Sequence, residues 1–352
     1  MLGLILLSLL GTAAMGGAFG LFDGSSDTSA EKAVDGADLE DEVALLDESA
    51  ISEMETALAE DPLLAQGDVG PEDALLQPYE DLNGFADIDG TEARDLIAIP
   101  EEIGSDHDLI RAAGGDDVVV GNAGDNPMTG GEGDDLLFGL GGSDQIFGDD
   151  GDDTLAGGEG GDLLYGDRGS DVVYGGAGDD AVYDGTQDGT DEDSTDVLVA
   201  GAGDDGVIVQ DGVNLVSLGE GEDHVTVFTD TGDDPVAVIR DFDVQKDALL
   251  LGIYAPGVTL PAGANGMELG FTLREIETDL GPGTLVQPAG TAELTADDLG
   301  DGASVGYAVL LGLRPQDLAG ADIRVILETP ETDRLAAGSV ESVAAEMGAT
   351  RL

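Results

Sequence analysis

Residues 130–138 read GGEGDDLLF, and the chain repeats the phrase: GLGGSDQIF at 139–147, GDDGDDTLA at 148–156, GGEGGDLLY at 157–165. Gly and Asp return to the same places every nine residues, and eight such rows run without a gap from Ala112 to Tyr183. With Gly130 as slot 1 and Phe138 as slot 9, slot 6 holds Asp117, Asn126, Asp135, Asp144, Asp153, Asp162, Asp171 and Asp180. Slot 8 holds Val119, Met128, Leu137, Ile146, Leu155, Leu164, Val173 and Val182, all apolar. A three-residue strand centred on slot 8 points that side chain inward and its two neighbours outward. The Gly slots mark sharp turns, because Gly reaches positive φ without steric cost. Each nonapeptide is therefore a turn plus a short strand, and a fixed period of this kind specifies a solenoid.

Two rows make one coil, so turns two rows apart stack at about the 4.8 Å inter-strand spacing. Asp117, Asp135, Asp153 and Asp171 then form one column, and Asn126, Asp144, Asp162 and Asp180 the other. Carboxylates that close repel unless a cation lies between them. Residues 112–183 carry 17 Asp and Glu against one Arg. Calcium suits the gap: it is hard, takes six to eight oxygens and tolerates loose geometry, whereas magnesium demands a tight octahedron. No Cys and only two His argue against zinc or copper. The six pairs of rows two apart have room for about six ions, enough to neutralise most of the charge and to make metal part of the fold.

GGEGDDLLF at 130–138 and GGAGDDAVY at 175–183 match the repeats-in-toxin (RTX), or haemolysin-type, motif at every defined position. The sequence resembles that family of calcium-binding repeat proteins. The resemblance implies a parallel β-roll whose ions are held by the slot-6 Asp and by main-chain carbonyls of the Gly-rich turns. Here those carbonyls would come from Gly131 and Gly133, Gly158 and Gly160, and Gly176 and Gly178. Row two departs from the pattern, with Asn126 for Asp and Pro127 removing a ladder donor, so the first sites are expected to be the weakest. VIRDFDVQKDALLL at 238–251 resembles the cap that follows such repeats, with Asp241, Asp243 and Asp247 as its acids.

Outside the regular repeat the chain divides by composition. MLGLILLSLLGTAAMGGAFGLF at 1–22 has no charged side chain. Its length and lack of a basic start favour a membrane anchor over a cleavable signal. Residues 23–111 read as a disordered acidic spacer with one helix near 38–60. FADIDGTEARDL at 85–96 resembles part of a calcium loop but lacks ligands at Phe85 and Leu96, so it reads as a turn. After 183 come an acidic insertion at 184–195 and weaker rows at 200–208, 218–226 and 229–237, the segment 184–251 ending in the cap. Short apolar runs at 252–330 suggest a small β-rich C-terminal module. Residues 331–352 form a tail suited to a C-terminal export signal.

The 352 residues hold 77 Asp and Glu against 11 Lys and Arg, a formal charge of −66. That excludes a nucleic-acid surface, which needs clustered cations. GASVG at 302–306 matches a nucleophile elbow, but no His follows Ser304. His107 and His224 read as exposed polar residues. No catalytic constellation emerges, so an enzyme is not expected. The expected protein is mainly β: a parallel β-roll with a small β-rich C-terminal module and a disordered acidic spacer. Its role is calcium binding in a secreted or surface-attached setting, with membrane contact through residues 1–22 only. An adhesin that binds cell surface, matrix or glycan is the alternative, and the slot-9 aromatics Phe147, Tyr165 and Tyr183 are its candidate stripe.

Overall fold

The computed structural model describes residues 74–76, 87–99, 109–185, 194–210, 212–227, 236–254, 267–278, 280–289 and 304–328. The segment 1–22, the helix expected near 38–60, His107 and the tail from 331 lie outside these residues. Among the described residues every regular element is a strand, and no helix is long and apolar enough to cross a membrane.

The strands alternate between two sheets. Val118–Val120, Leu136–Gly141, Thr154–Glu159 and Val172–Ala177 are neighbours in the first sheet. Pro127–Glu132, Gln145–Asp150, Leu163–Arg168 and Ala181–Tyr183 are neighbours in the second. All of these pairs are parallel and keep slot 8 over slot 8. Val119, Leu137, Leu155 and Val173 make one inner ladder, and Met128, Ile146, Leu164 and Val182 the other. All eight side chains are completely buried, each contributing about 1.5–3 kcal/mol. This is the expected parallel β-roll.

The roll is longer than the regular repeat. Asp95–Ala98 pairs with Val118–Val120 in the first sheet, which makes GTEARDLIA at 90–98 a row: Gly90 in slot 1, Asp95 in slot 6, Ile97 in slot 8. The turn expected at 85–96 is therefore a turn of the roll, and this stretch is not part of a disordered spacer. Its in-phase Gly, Asp and Ile are what recruit it. Beyond residue 183 the acidic insertion does not interrupt either ladder. Val172–Ala177 pairs with Val197–Ala202 across it, in the register the regular rows keep. The ladders then run through Val213–Glu220 and Val236–Ile239 on one side and Gly206–Val209, His224–Val227 and Ala248–Tyr254 on the other.

The C-terminal strands join these same sheets. Tyr307–Leu311 adds parallel to Val236–Ile239, and Asp322–Glu328 adds parallel to Ala248–Tyr254. An antiparallel hairpin, Phe271–Thr278 with Gly281–Pro288, ends the first sheet. Ser304 lies in the strand Ser304–Val305, paired antiparallel to Ala248–Tyr254, and not on a strand-to-helix turn. Pro127 is accommodated at a strand start: pairing with Leu109–Gly114 begins at Met128.

The two outer faces differ. On the first sheet Phe138, Ala156 and Tyr174 are buried. On the second, Phe147 stacks on Tyr165 at 5.0 Å between centroids, and Tyr165 on Tyr183 at 4.3 Å, with rings within 16° of parallel. Both faces of Tyr165 are thus covered by its neighbours, as cross-strand packing in a parallel ladder produces. His224 is exposed, as expected.

Candidate metal centres along the turns

The slot-6 side chains lie just inside the turns, where the rise from coil to coil places one above another. Each holds the next by a hydrogen bond. The Asp117 N–H donates to Asp135 Oδ1, Asp135 to Asp153, and Asp153 to Asp171, at 2.7–2.8 Å. Along the other edge Asn126 donates to Asp144, Asp144 to Asp162, and Asp162 to Asp180, also at 2.7–2.8 Å. All six expected pairs are brought together. Six more continue the pattern: Asp95 to Asp117, Asp171 to Asp196, Asp196 to Asn214, Asp180 to Asp205, Asp205 to Asp223 and Asp223 to Asp247.

The second carboxylate oxygen is the informative one. Oδ2 of Asp117, Asp135, Asp144, Asp153, Asp162, Asp171, Asp180, Asp205 and Asp223 is buried and has no hydrogen-bond partner. The residues themselves are at most 3% exposed. An unpartnered buried carboxylate oxygen is costly. Burial, the largest cause, pushes these carboxyls up from 3.8, to about 6 for Asp162 and Asp223 and about 7 for Asp117, Asp135 and Asp205. Asp153 and Asp180 reach about 8 and Asp144 about 9, while Asp171 rises well above the carboxylate range. Neighbouring carboxylates add to most of these shifts.

The turn backbone makes the cradle. In every regular row but row two, slots 2 and 4 are left-handed, as at Gly131 (φ 119°) and Gly133 (φ 128°). Adjacent turns approach so closely there that a Cβ on Gly133 would lie 2.5 Å from the Gly115 carbonyl oxygen. The Gly133, Gly158, Gly160, Gly176 and Gly178 carbonyls each face the glycine one coil further on in the same way. Slot 1 is different. Gly130 and Gly148 have no left-handed φ; they are Gly for space. A Cβ on Gly175 would lie 2.7 Å from Asp180 Oδ2, and at Gly130 or Gly148 it would strike the Asp135 or Asp153 Oδ2 closer still. The bend expected at Gly130 is instead room kept beside the orphaned oxygen.

Among the described residues no group of three His, Cys, Asp or Glu side chains gathers at one point. An ion held here must take main-chain oxygens as well as carboxylates, which selects a hard cation with loose geometry. The residues fit calcium: orphaned carboxylate oxygens, close carbonyls and space free of Cβ atoms coincide in row after row.

Two features were not legible from the motif. Slot 5, which the motif leaves open, carries a second ladder of opposite sense. Oδ1 of Asp116, Asp125, Asp134 and Asp152 accepts the N–H of the residue 18 further on. Asp205 and Asp223 also join the orphaned set, and their signal was present in the weaker rows 200–208 and 218–226.

No curated protein matches the chain. The family model of the RTX calcium-binding nonapeptide repeat (4 copies) matches residues 104–126, 120–155, 129–164, 147–182, 156–190 and 192–225. Those matches coincide with the turns that carry the orphaned carboxylates, and calcium is the ligand such repeats take. Between residues 104 and 225 the chain carries RTX calcium-binding nonapeptide repeats.

Proposed function

We propose that this chain is a non-catalytic, secreted or surface-attached protein whose roll folds on binding calcium. The ligands are the slot-6 carboxylates Asp117, Asp135, Asp144, Asp153, Asp162, Asp171 and Asp180, with turn carbonyls such as Gly131, Gly133, Gly158, Gly160, Gly176 and Gly178. One observation carries the reading: the unbroken line of buried, unpartnered Oδ2 atoms. A cation between the turns satisfies them, and residues 112–183 carry one Arg, Arg168, against the seven orphaned oxygens there. Extracellular calcium sites work near 10⁻⁴–10⁻³ M, a range that suits a setting outside the cytoplasm. There the uncharged 1–22 segment would act as anchor or signal.

The adhesin reading is not carried further by the aromatic stripe, because Tyr165 offers no open ring face for stacking on a sugar. Titration calorimetry of the full chain tests the proposal. Several calcium ions should bind with release of protons, and magnesium at equal concentration should not replace them. Absence of calcium binding at millimolar concentration would overturn it.

A further inference from the structure

The slot-6 rungs fall into two kinds, and the residue four positions earlier separates them. In nine rungs that residue is left-handed: Ala113, Gly131, Leu140, Asp149, Gly158, Asp167, Gly176, Gly201 and Gly219. These are the nine rungs whose Asp keeps an orphaned Oδ2. In none of these nine does that residue's N–H reach the slot-6 Oδ2. In three other rungs the residue is not left-handed, and its N–H closes onto the slot-6 oxygen: Thr91 to Asp95 Oδ2 at 2.6 Å, Asn122 to Asn126 Oδ1 at 2.8 Å, Asp243 to Asp247 Oδ2 at 2.6 Å.

A fourth closed rung sits at the insertion. Slot 1, Gly in rows two to eight, is here Asp184, fully buried. Its carboxylate accepts the N–H of Gly185 and Gln210 and the side-chain amide of Asn214. Asn214 Oδ1 in turn accepts the Asp196 N–H at 2.9 Å. Protein donors therefore satisfy this rung too.

The closed rungs are not scattered. One edge runs Asp95 (closed), Asp117, Asp135, Asp153 and Asp171 (open), then Asp196, which accepts the Asp171 N–H and keeps no orphaned oxygen, and the Asp184–Asn214 rung (closed). The other runs Asn126 (closed), Asp144, Asp162, Asp180, Asp205 and Asp223 (open), then Asp247 (closed). Each column of open rungs is shut at both ends. A left-handed Leu, Asp or Ala is strained relative to Gly, yet the open rungs retain it at Ala113, Leu140, Asp149 and Asp167.

We propose that these four closed rungs bind no calcium and terminate the ion columns, leaving four calcium rungs on one edge and five on the other. The proposal rests on the calcium reading above and adds where the ions stop. The insertion at 184–195 thereby ends one column at Asp171, while the other runs two rungs further through Asp205 and Asp223.

Two measurements on the full chain test it. In crystals grown with calcium, anomalous difference density should appear beside all nine orphaned Oδ2 atoms. None should appear at Asp95, Asn126, Asp247 or between Asp184 and Asn214. Density at a closed rung, or an open rung without it, overturns the proposal. By equilibrium dialysis with radioactive calcium, Asp223→Asn should lower the bound count by one ion. Asp247→Asn should leave the count unchanged, and the pair Asn122→Gly with Asn126→Asp should raise it by one. Loss of an ion in Asp247→Asn, or no gain in the double variant, refutes the rule. If wild-type protein binds no calcium at all, the underlying functional reading has failed instead.

Discussion

Acid should do part of calcium's work. Asp144, Asp153 and Asp180 hold their protons up to about 8–9 in the metal-free roll, against 3.8 in an unfolded chain. Between those limits the folded state binds more protons than the unfolded one, so stability of the metal-free fold falls as pH rises. At pH 7 each of the three costs about 1.36 kcal/mol for each of roughly three pH steps above the unfolded value, or about 4 kcal/mol. Their sum, about 13 kcal/mol as an upper bound for coupled groups, matches the whole stability of an ordinary domain, about 5–15 kcal/mol. At pH 5 the cost per group drops to about 2 kcal/mol. The expected outcome is a chelator-treated protein that lacks β-structure at pH 7.5 and gains it on titration to pH 5, followed by far-UV circular dichroism and intrinsic tyrosine fluorescence. With saturating calcium the trend reverses, because protons compete with the ion for the same oxygens. A metal-free spectrum that stays disordered down to pH 5, or one equally folded at both pH values, would refute the reasoning.

Other perturbations separate the parts of the roll. Gly148→Ala should weaken calcium binding at least tenfold by calorimetry, because its Cβ displaces Asp153 Oδ2 and lies 2.5 Å from the Gly166 carbonyl. Gly161→Ala, whose Cβ would meet only the Asp179 carbonyl at 3.1 Å, should bind within about twofold of wild type. Leu155→Ala removes a fully buried slot-8 side chain and should cost the calcium-loaded fold about 2–5 kcal/mol by urea unfolding, with the ion count unchanged. Tyr165→Ser breaks both ring stacks and should lower the melting temperature of the loaded protein without changing calcium affinity.

The regular rows were legible because every constraint on them is local and periodic. An inward apolar slot, a carboxylate slot and glycines at left-handed positions recur together, so one row explains the next. Three things were harder to see, each for a physical reason. Row 90–98 keeps only Gly90, Asp95 and Ile97 in phase, and its extra residues before Asp117 break the count of nine. The insertion at 184–195 breaks the count of nine, yet the strands on either side of it keep register, as Tyr174 opposite Val199 does. The C-terminal strands carry no repeat, and only long-range pairing assigns them to the roll. At the site, the sequence named the carboxylates but not which of their oxygens is orphaned. That depends on backbone handedness four residues earlier, and non-glycine residues such as Leu140 and Asp149 adopt it without any sign in the motif.

The central claim is that calcium and fold are one equilibrium. It is tested most directly by far-UV circular dichroism of the full chain at pH 7.5, first in chelator and then through a calcium titration. The account predicts a disordered spectrum that converts cooperatively to a β-rich one as calcium rises, and reverts when chelator is restored. A β-rich spectrum already present in chelator, unchanged by calcium, would contradict it.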